Sequence, residues 1–208
     1  AYMEFSGNHL LGLVNDILDL EKLASGTDSL VSTEFQLKDL IHSIIESFRN
    51  RAEKAGLALH VEVDPMLPDA IQTDVKWLTQ ILNNLLSNAI KYTERGEVKL
   101  TVRPAHAGLP YADHVTFSVH DTGKGIPAME IERILLPFEQ IRVNPTIEGT
   151  GLGLAIVHSL VQKMDGTLDV TSTPGKGLRF VFYGRLPGLD ILRICGTQIR
   201  ILFRRGDN

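Results

Sequence analysis

The segment at residues 80–93 constrains this chain more than any other, because its residues follow the 3.6-residue period of an α-helix. Asn84, Asn88 and Lys91 share one face of that helix, with Tyr92 at its border. The opposite face is apolar: Leu78, Leu82, Leu85, Leu86 and Ala89. Carboxamide oxygens can share a hydrated magnesium ion with phosphates, and a lysine can neutralise phosphate charge. The alternative is an ordinary helix with a solvated polar face.

Length and composition set broad limits. A chain of 208 residues predicts one domain with an appendage, or two small domains. The net charge of -4 gives no sign of general nucleic-acid binding. The single cysteine, Cys195, excludes an intramolecular disulfide framework and a cysteine-rich zinc site.

Targeting signals are also missing from the sequence. No apolar run approaches the roughly 20 residues of a membrane helix, and no signal peptide opens the chain. Because the first residue is Ala, we expect a fragment or a processed product. We expect this fragment to be cytoplasmic and to make no membrane contact. Its parent protein could be bound to the inner membrane.

Hydrophobic periodicity and turn residues predict the order of the elements. Predicted helices cover residues 5–23, 37–55, 74–95 and 151–164, and predicted strands cover 57–63, 98–102, 115–120, 167–171 and 179–186. Residues 64–68 and 174–177 are predicted turns, and residues 104–114 a loop. Strands and helices do not alternate regularly. We therefore predict an α+β fold: a two-layer sandwich whose mixed sheet is covered by helices on one face, preceded by one long helix.

The predicted strand at residues 115–120 runs directly into Asp121, which is followed by Gly123 and Gly125. A carboxylate at a strand end can accept a hydrogen bond from an exocyclic amine, a contact of roughly 1.5–3 kcal/mol. The glycines would let the backbone approach a flat ligand. The alternative is a plain Asp-Thr-Gly turn.

A second glycine-rich segment, Gly149-Thr-Gly-Leu-Gly-Leu154, opens a predicted helix. Backbone amides at a helix N-terminus bind phosphate, and glycines remove side chains from the approach. The spacing is neither the dinucleotide-binding fingerprint nor a P-loop. The long segment before it contains Leu136-Pro-Phe-Glu-Gln140 and is predicted to be a lid. Phe138 would dock that lid, or would pack in the core.

The order of these four motifs resembles the ATP-binding catalytic domain of sensor histidine kinases, within the superfamily of gyrase and the heat-shock chaperones. The resemblance covers residues 35–187. It implies ATP and Mg²⁺, with Asn84 and Lys91 as catalytic residues and Asn84 and Asn88 as magnesium ligands. Asp121 would recognise the adenine amine. The remaining implied nucleotide contacts are Tyr92, Gly123, Gly125, Ile126, Phe138, Gly149, Thr150, Gly151, Leu152 and Gly153.

One position distinguishes activities within that superfamily. The resemblance implies that its ATPases carry a glutamate four residues before the position of Asn88, where it activates water. This chain has Asn84 there, and an amide cannot take a proton at neutral pH. We therefore expect phosphoryl transfer to a protein group, and not hydrolysis.

The acceptor histidine of this family lies on a helical hairpin, in a motif similar to His-Glu-x-x-Arg-Thr-Pro. None of the seven histidines lies in such a motif, and the surroundings of His9 resemble the second hairpin helix. We expect residues 1–26 to be that truncated helix, 27–188 the catalytic domain, and 189–208 a tail or linker. The fragment should bind ATP without phosphorylating itself. The implied partners are a phosphoacceptor hairpin and a response regulator or receiver domain, in a parent of hybrid type.

Two further readings remain open at this point. The chain could be a nucleotide-binding interaction module that docks on another kinase through its first helix. A free-standing ATPase is disfavoured by Asn84. Leu178 also departs from the family, which often carries Ser or Thr at that turn.

Overall fold

The computed structural model describes residues 2–26, 29–105, 114–141 and 149–185. Its helices are α1 (Tyr2–Ser25), α2 (Leu37–Lys54), α3 (Val75–Tyr92) and α4 (Gly153–Lys163). Its strands are β1 (Thr33–Gln36), β2 (Leu57–Val63), β3 (Ala70–Thr73), β4 (Gly96–Pro104), β5 (His114–Asp121), β6 (Thr167–Thr173) and β7 (Gly177–Arg185). Two short 3₁₀ helices, Ala128–Glu130 and Arg133–Leu135, lie between β5 and α4. The predicted tail and most of the predicted loop at 104–114 lie outside the described residues.

The main sheet has five described strands in the order β2-β4-β5-β7-β6. β2 pairs with β4 in parallel, and the other neighbouring pairs are antiparallel. Helices cover one face of the sheet. Alternate strand residues that point to that face, such as Val98, Leu100 and Val102, are therefore fully buried. The predicted α+β fold with a mixed sheet is confirmed.

The core between the sheet and the helices is continuous. Leu78, Leu82 and Leu85 of α3 are buried in it, as the helical period predicts. On the sheet, the rings of Phe117 and Phe182 stack at 4.7 Å between centroids. Aromatic pairs of this kind contribute about 0.5–1.5 kcal/mol beyond the area they bury, so they tie β5 to β7.

β1 and β3 form a second, two-stranded sheet, of which the sequence pattern predicts only a short extended segment at residues 32–35. The predictions contained no strand at residues 70–73, because the four residues Ala-Ile-Gln-Thr give too little alternation. β3 forms nonetheless, since Ile71 and Thr73 are buried and the strand pairs with β1. The adjoining Asp74 begins α3 as predicted. Its Oδ1 accepts from the backbone N–H groups of Lys76 and Trp77 at 2.9 and 3.1 Å.

Two predicted helix limits near the candidate site were wrong. α3 ends at Tyr92 and not before Gly96, because Thr93 leaves the helical conformation and its hydroxyl donates to the Ala89 carbonyl at 2.7 Å. α4 begins at Gly153 and not at Gly151, whose φ of 73° lies in the left-handed region.

α1 packs against α4 and contributes Leu23 to the core, where only 6% of that residue is exposed. Its other apolar residues form an exposed stripe: Leu10, Leu11, Val14, Ile17 and Leu18. Each helix in the described ranges is too short or too polar to cross a bilayer.

Candidate nucleotide-binding site

A cavity of about 540 Å³ lies between α3, the end of β5 and the start of α4. Its size suits a small organic ligand. Eleven of the predicted site residues line it: Asn84, Asn88, Lys91, Tyr92, Asp121, Gly125, Ile126, Gly149, Thr150, Gly151 and Gly153. Segments far apart in the sequence therefore meet in one pocket.

Asp121 marks one end of this cavity. It is 5% exposed, and its Oδ1 accepts from the backbone N–H of Gly123 at 2.9 Å and of Leu178 at 3.3 Å. Burial raises the pKa of the Asp121 carboxyl above its ordinary value, while these two hydrogen bonds oppose that rise. Because both donors reach Oδ1, Oδ2 can accept from a ligand amine.

The glycines near Asp121 are required by close backbone packing. A Cβ on Gly123 would lie 2.6 Å from the Tyr92 carbonyl oxygen. The missing side chain therefore makes room for the end of α3 and not for a ligand. Gly125 has φ of 61° and abuts the Thr173 carbonyl. Gly123 does not line the cavity, whereas Gly125 does. Close packing against the protein thus accounts for both glycines, and their contact with a flat ligand stays a prediction.

The opposite end is formed by residues 149–153, here called the glycine segment. A Cβ on Gly149 would lie 2.6 Å from the Lys91 ammonium nitrogen, and a Cβ on Gly153 would lie 2.9 Å from Asn84 Oδ1. The lysine nitrogen also lies 4.9 Å from the centroid of the Tyr92 ring. The N-terminus of α4 thus faces the polar side of α3, where its amides and Lys91 can bind an anion.

Two predicted contacts are placed differently. Leu152 is 0% exposed and belongs to the core, so its side chain cannot reach a ligand in the cavity. Phe138 is 65% exposed and does not line the cavity. Its φ is 63°, and its N–H donates to the Gly151 carbonyl at 3.0 Å. The ring therefore lies outside the described core, and its role in docking the segment stays a prediction.

Several lining residues were missed by sequence reasoning. Gln140 Nε2 donates to the Gly149 carbonyl at 2.5 Å and so holds the glycine segment. Lys124 and Glu94 form an ion pair of 2.6 Å, and both line the cavity. The sequence offered one signal for Gln140, since this residue follows the Pro-Phe motif. The ion pair gave no sequence signal.

α1 also reaches the cavity, which no pattern in the sequence indicated. The Thr150 hydroxyl donates to Asp16 Oδ2 at 3.1 Å across 134 positions of sequence. Burial raises the pKa of the Asp16 carboxyl, the bond from Thr150 lowers it, and the charge of Asp19 raises it further. One turn along α1, Asp19 Oδ2 accepts from Gln80 Nε2 at 2.8 Å.

Comparison with known proteins shows the family of the chain. The sequence model of one family, described as histidine kinase-, DNA gyrase B- and HSP90-like ATPase, matches residues 73–188. The chain belongs to this ATPase family. The match contains α3, Asp121 and the glycine segment, so the predicted resemblance is confirmed.

Curated relatives of the chain include sensor histidine kinases. The chain is 44% identical over 179 residues to the non-motile and phage-resistance protein of Caulobacter vibrioides, covering 85% of this chain and 21% of that protein. It is 37% identical over 180 residues to the sensor histidine kinase RcsC of Escherichia coli, covering 86% and 18%. The chain therefore spans about a fifth of the length of these relatives.

A solved structure agrees with the sequence matches. Full-length ShkA in complex with AMPPNP superposes with a TM-score of 0.77 at 36% identity, covering 87% of this chain and 36% of that one. The fold is thus that of an ATP-binding domain of histidine kinases, and the family and its homologues support ATP as the ligand class.

Proposed function

We propose that this chain is the catalytic domain of a two-component sensor histidine kinase, which transfers the γ-phosphoryl group of ATP to a histidine on a helix outside the chain. The observation that carries the proposal is the bipartite cavity. It has an amine-accepting carboxylate, Asp121, at one end and the anion-binding group of Lys91 and the glycine segment at the other. Asn84, which cannot act as a base, lies next to Gly153 of the glycine segment.

In this proposal Asp121 Oδ2 accepts from the adenine amine, and the apolar residues Ile126 and Leu178 contact the base. Lys91 and the α4 amides neutralise the phosphates, with Tyr92 and Gly149 beside them. The bond between the γ-phosphorus and the β,γ-bridging oxygen breaks, ADP leaves, and a bond forms from phosphorus to an imidazole nitrogen of the acceptor. Catalysis would come from positioning and charge neutralisation.

Magnesium fits the donor set of this site. The described residues contain no group of three or more His, Cys, Asp or Glu side chains that could hold a metal ion by themselves. The amide oxygens of Asn84 and Asn88 line the cavity and would hold the ion together with oxygens of the nucleotide. When bound, Mg²⁺ would neutralise the charge of the transferring phosphate.

The division of the chain is part of the proposal. Residues 1–26 would be the second helix of the phosphoacceptor hairpin, 27–188 the catalytic domain, and 189–208 a tail or linker. The exposed apolar stripe on α1 supports a helix that packs on another helix in the parent protein. A receiver domain or response regulator would take the phosphoryl group afterwards.

The first test is calorimetry with ATP, with and without Mg²⁺. We expect binding that magnesium strengthens. The second test supplies labelled ATP with a separate hairpin that carries the histidine, followed by acid treatment. Acid-labile label on the hairpin, and none on the chain itself, is the expected result. Label retained by the chain would contradict the absence of an acceptor.

The stripe on α1 also favours a second candidate, a nucleotide-binding module that docks on another kinase without catalysing transfer. The labelling test separates the two, because such a module would bind ATP and leave every supplied hairpin unlabelled. A third reading, a free-standing ATPase, would require steady phosphate release that Asn88→Ala abolishes.

A further inference from the structure

Asp16 is the carboxylate that α1 contributes to the cavity wall, at the end formed by the glycine segment. Two of the other acidic residues that line the cavity are paired with cations. Glu94 pairs with Lys124 at 2.6 Å, and Glu139 pairs with Arg133 at 2.8 Å. Within the described ranges Asp16 forms no ion pair, and the like charge of Asp19 raises the pKa of its carboxyl. No ion pair of the described residues therefore offsets its negative charge beside the expected phosphates.

The Thr150 hydroxyl is committed to the same contact. It donates its one proton to Asp16 Oδ2, and its oxygen accepts from the Leu152 N–H at 3.1 Å. A hydroxyl has one proton to donate. While Asp16 holds it, Thr150 cannot donate to a phosphate oxygen.

Asp16 is also held in position by the rest of α1. Asp19 accepts from Gln80 on α3, and Leu23 is buried in the core. These contacts fix the backbone position from which Asp16 reaches the cavity.

We propose that Asp16 is a specificity-determining residue of this pocket, which disfavours the terminal phosphate of a nucleoside triphosphate relative to the diphosphate while α1 is docked. The inference rests on the proposed function. Because coupling between two binding events is reciprocal, a bound triphosphate loosens the docking of α1 by the same factor. The docking of α1 thus depends on whether a diphosphate or a triphosphate occupies the site.

The test is calorimetry on the full 208-residue chain with adenosine, ADP and AMPPNP, each with Mg²⁺. Asp16→Asn removes the charge and keeps an acceptor for Thr150. Asp19→Asn is the matched control, since it removes the same charge one turn away and keeps an acceptor for Gln80. We expect Asp16→Asn to strengthen AMPPNP binding about fivefold, ADP binding less, and adenosine binding not at all. The control should change the AMPPNP to ADP ratio less than about twofold.

An unchanged AMPPNP to ADP ratio in Asp16→Asn would overturn the inference, provided that both nucleotides bind the wild type. Weaker AMPPNP binding would also overturn it, since Asp16 would then aid the triphosphate. If neither ADP nor AMPPNP binds the wild type, the proposed function fails and the inference fails with it. A second readout needs no variant: backbone amides of α1 should exchange hydrogen faster with AMPPNP than with ADP. Equal exchange would contradict the reciprocal coupling.

Discussion

The buried position of Asp121 favours ligand binding more than it favours the stability of the folded chain. Its carboxyl is buried, and burial raises its pKa, although two backbone N–H groups donate to Oδ1. An ionised carboxylate in such a place costs stability, and a ligand amine would offset that cost. Ionisable residues whose pKa is shifted by burial are common at functional sites.

Replacing Asp121 with Asn should separate binding from stability. We expect ATP affinity to fall at least about tenfold, because a charge-assisted hydrogen bond of about 1.5–3 kcal/mol is lost. The midpoint of thermal unfolding at neutral pH should stay the same or rise, since a buried charge has been removed. Calorimetry and thermal melts on the same samples measure both quantities. A large drop in the unfolding midpoint would mean that the carboxylate itself stabilises the fold.

The difference in stability between the wild type and Asp121→Asn should change with pH in one direction. Because the folded-state pKa is raised above the ordinary 3.8, the stability linked to protonated Asp121 is fully present below that value. It is lost as the pH rises through the folded-state pKa. Denaturant unfolding from acid to neutral pH should therefore show the wild type losing stability relative to Asp121→Asn. A difference that runs the other way would show that the two hydrogen bonds outweigh burial.

Among the elements, the N-terminus of α4 joins the glycine segment to α3. Gly153 faces Asn84 Oδ1, so the first residue of one helix depends on a side chain of another. The glycine permits this close approach, which a Cβ at 2.9 Å would disturb.

The variant Gly153→Ala should weaken magnesium-dependent ATP binding by roughly tenfold, as is typical when a neighbour that orients a metal ligand is altered. Affinity measured without magnesium should change less. Gly12→Ala is the matched control, because it adds the same methyl group to a helix where nothing lies within 4 Å. If both variants bind Mg-ATP as the wild type does, Asn84 does not depend on this packing.

Sequence patterns could predict the elements whose burial is periodic, and that includes the helix carrying Asn84 and Asn88. They could also find Asp121, because it directly follows an alternating strand. They could not find β3, which is short, or the outward Phe138, whose positive φ is imposed by the Gly151 contact. The Asp16–Thr150 contact was equally out of reach, since helical periodicity says nothing about partners 134 positions away.

At the scale of the whole molecule, α1 packs on the rest of the chain through one of its faces. Leu23 joins the common core, while Leu18 is 44% exposed on the same helix. The helix thus has one docked face and one free apolar face.

Leu23→Ala should lower the free energy of unfolding by about 2–3 kcal/mol, because it removes a buried side chain and leaves a cavity. Leu18→Ala is the control and should cost less than about 0.5 kcal/mol in dilute solution. Denaturant titrations of the two variants provide the comparison. Equal losses would indicate that α1 does not dock through Leu23.

The hairpin of β6 and β7 has a consequence for synthesis on the ribosome. Leu178 N–H donates to Asp121, and Ser172 Oγ accepts from the Ile126 N–H at 2.7 Å, so the last described strands complete the wall around the carboxylate. Chains emerge from the N-terminus, so Asn84, Lys91 and Thr150 leave the exit tunnel before that wall can form. A nascent chain therefore gains the complete wall around Asp121 only after β7 has emerged, and a nucleotide bound there can stabilise it fully only from that point on.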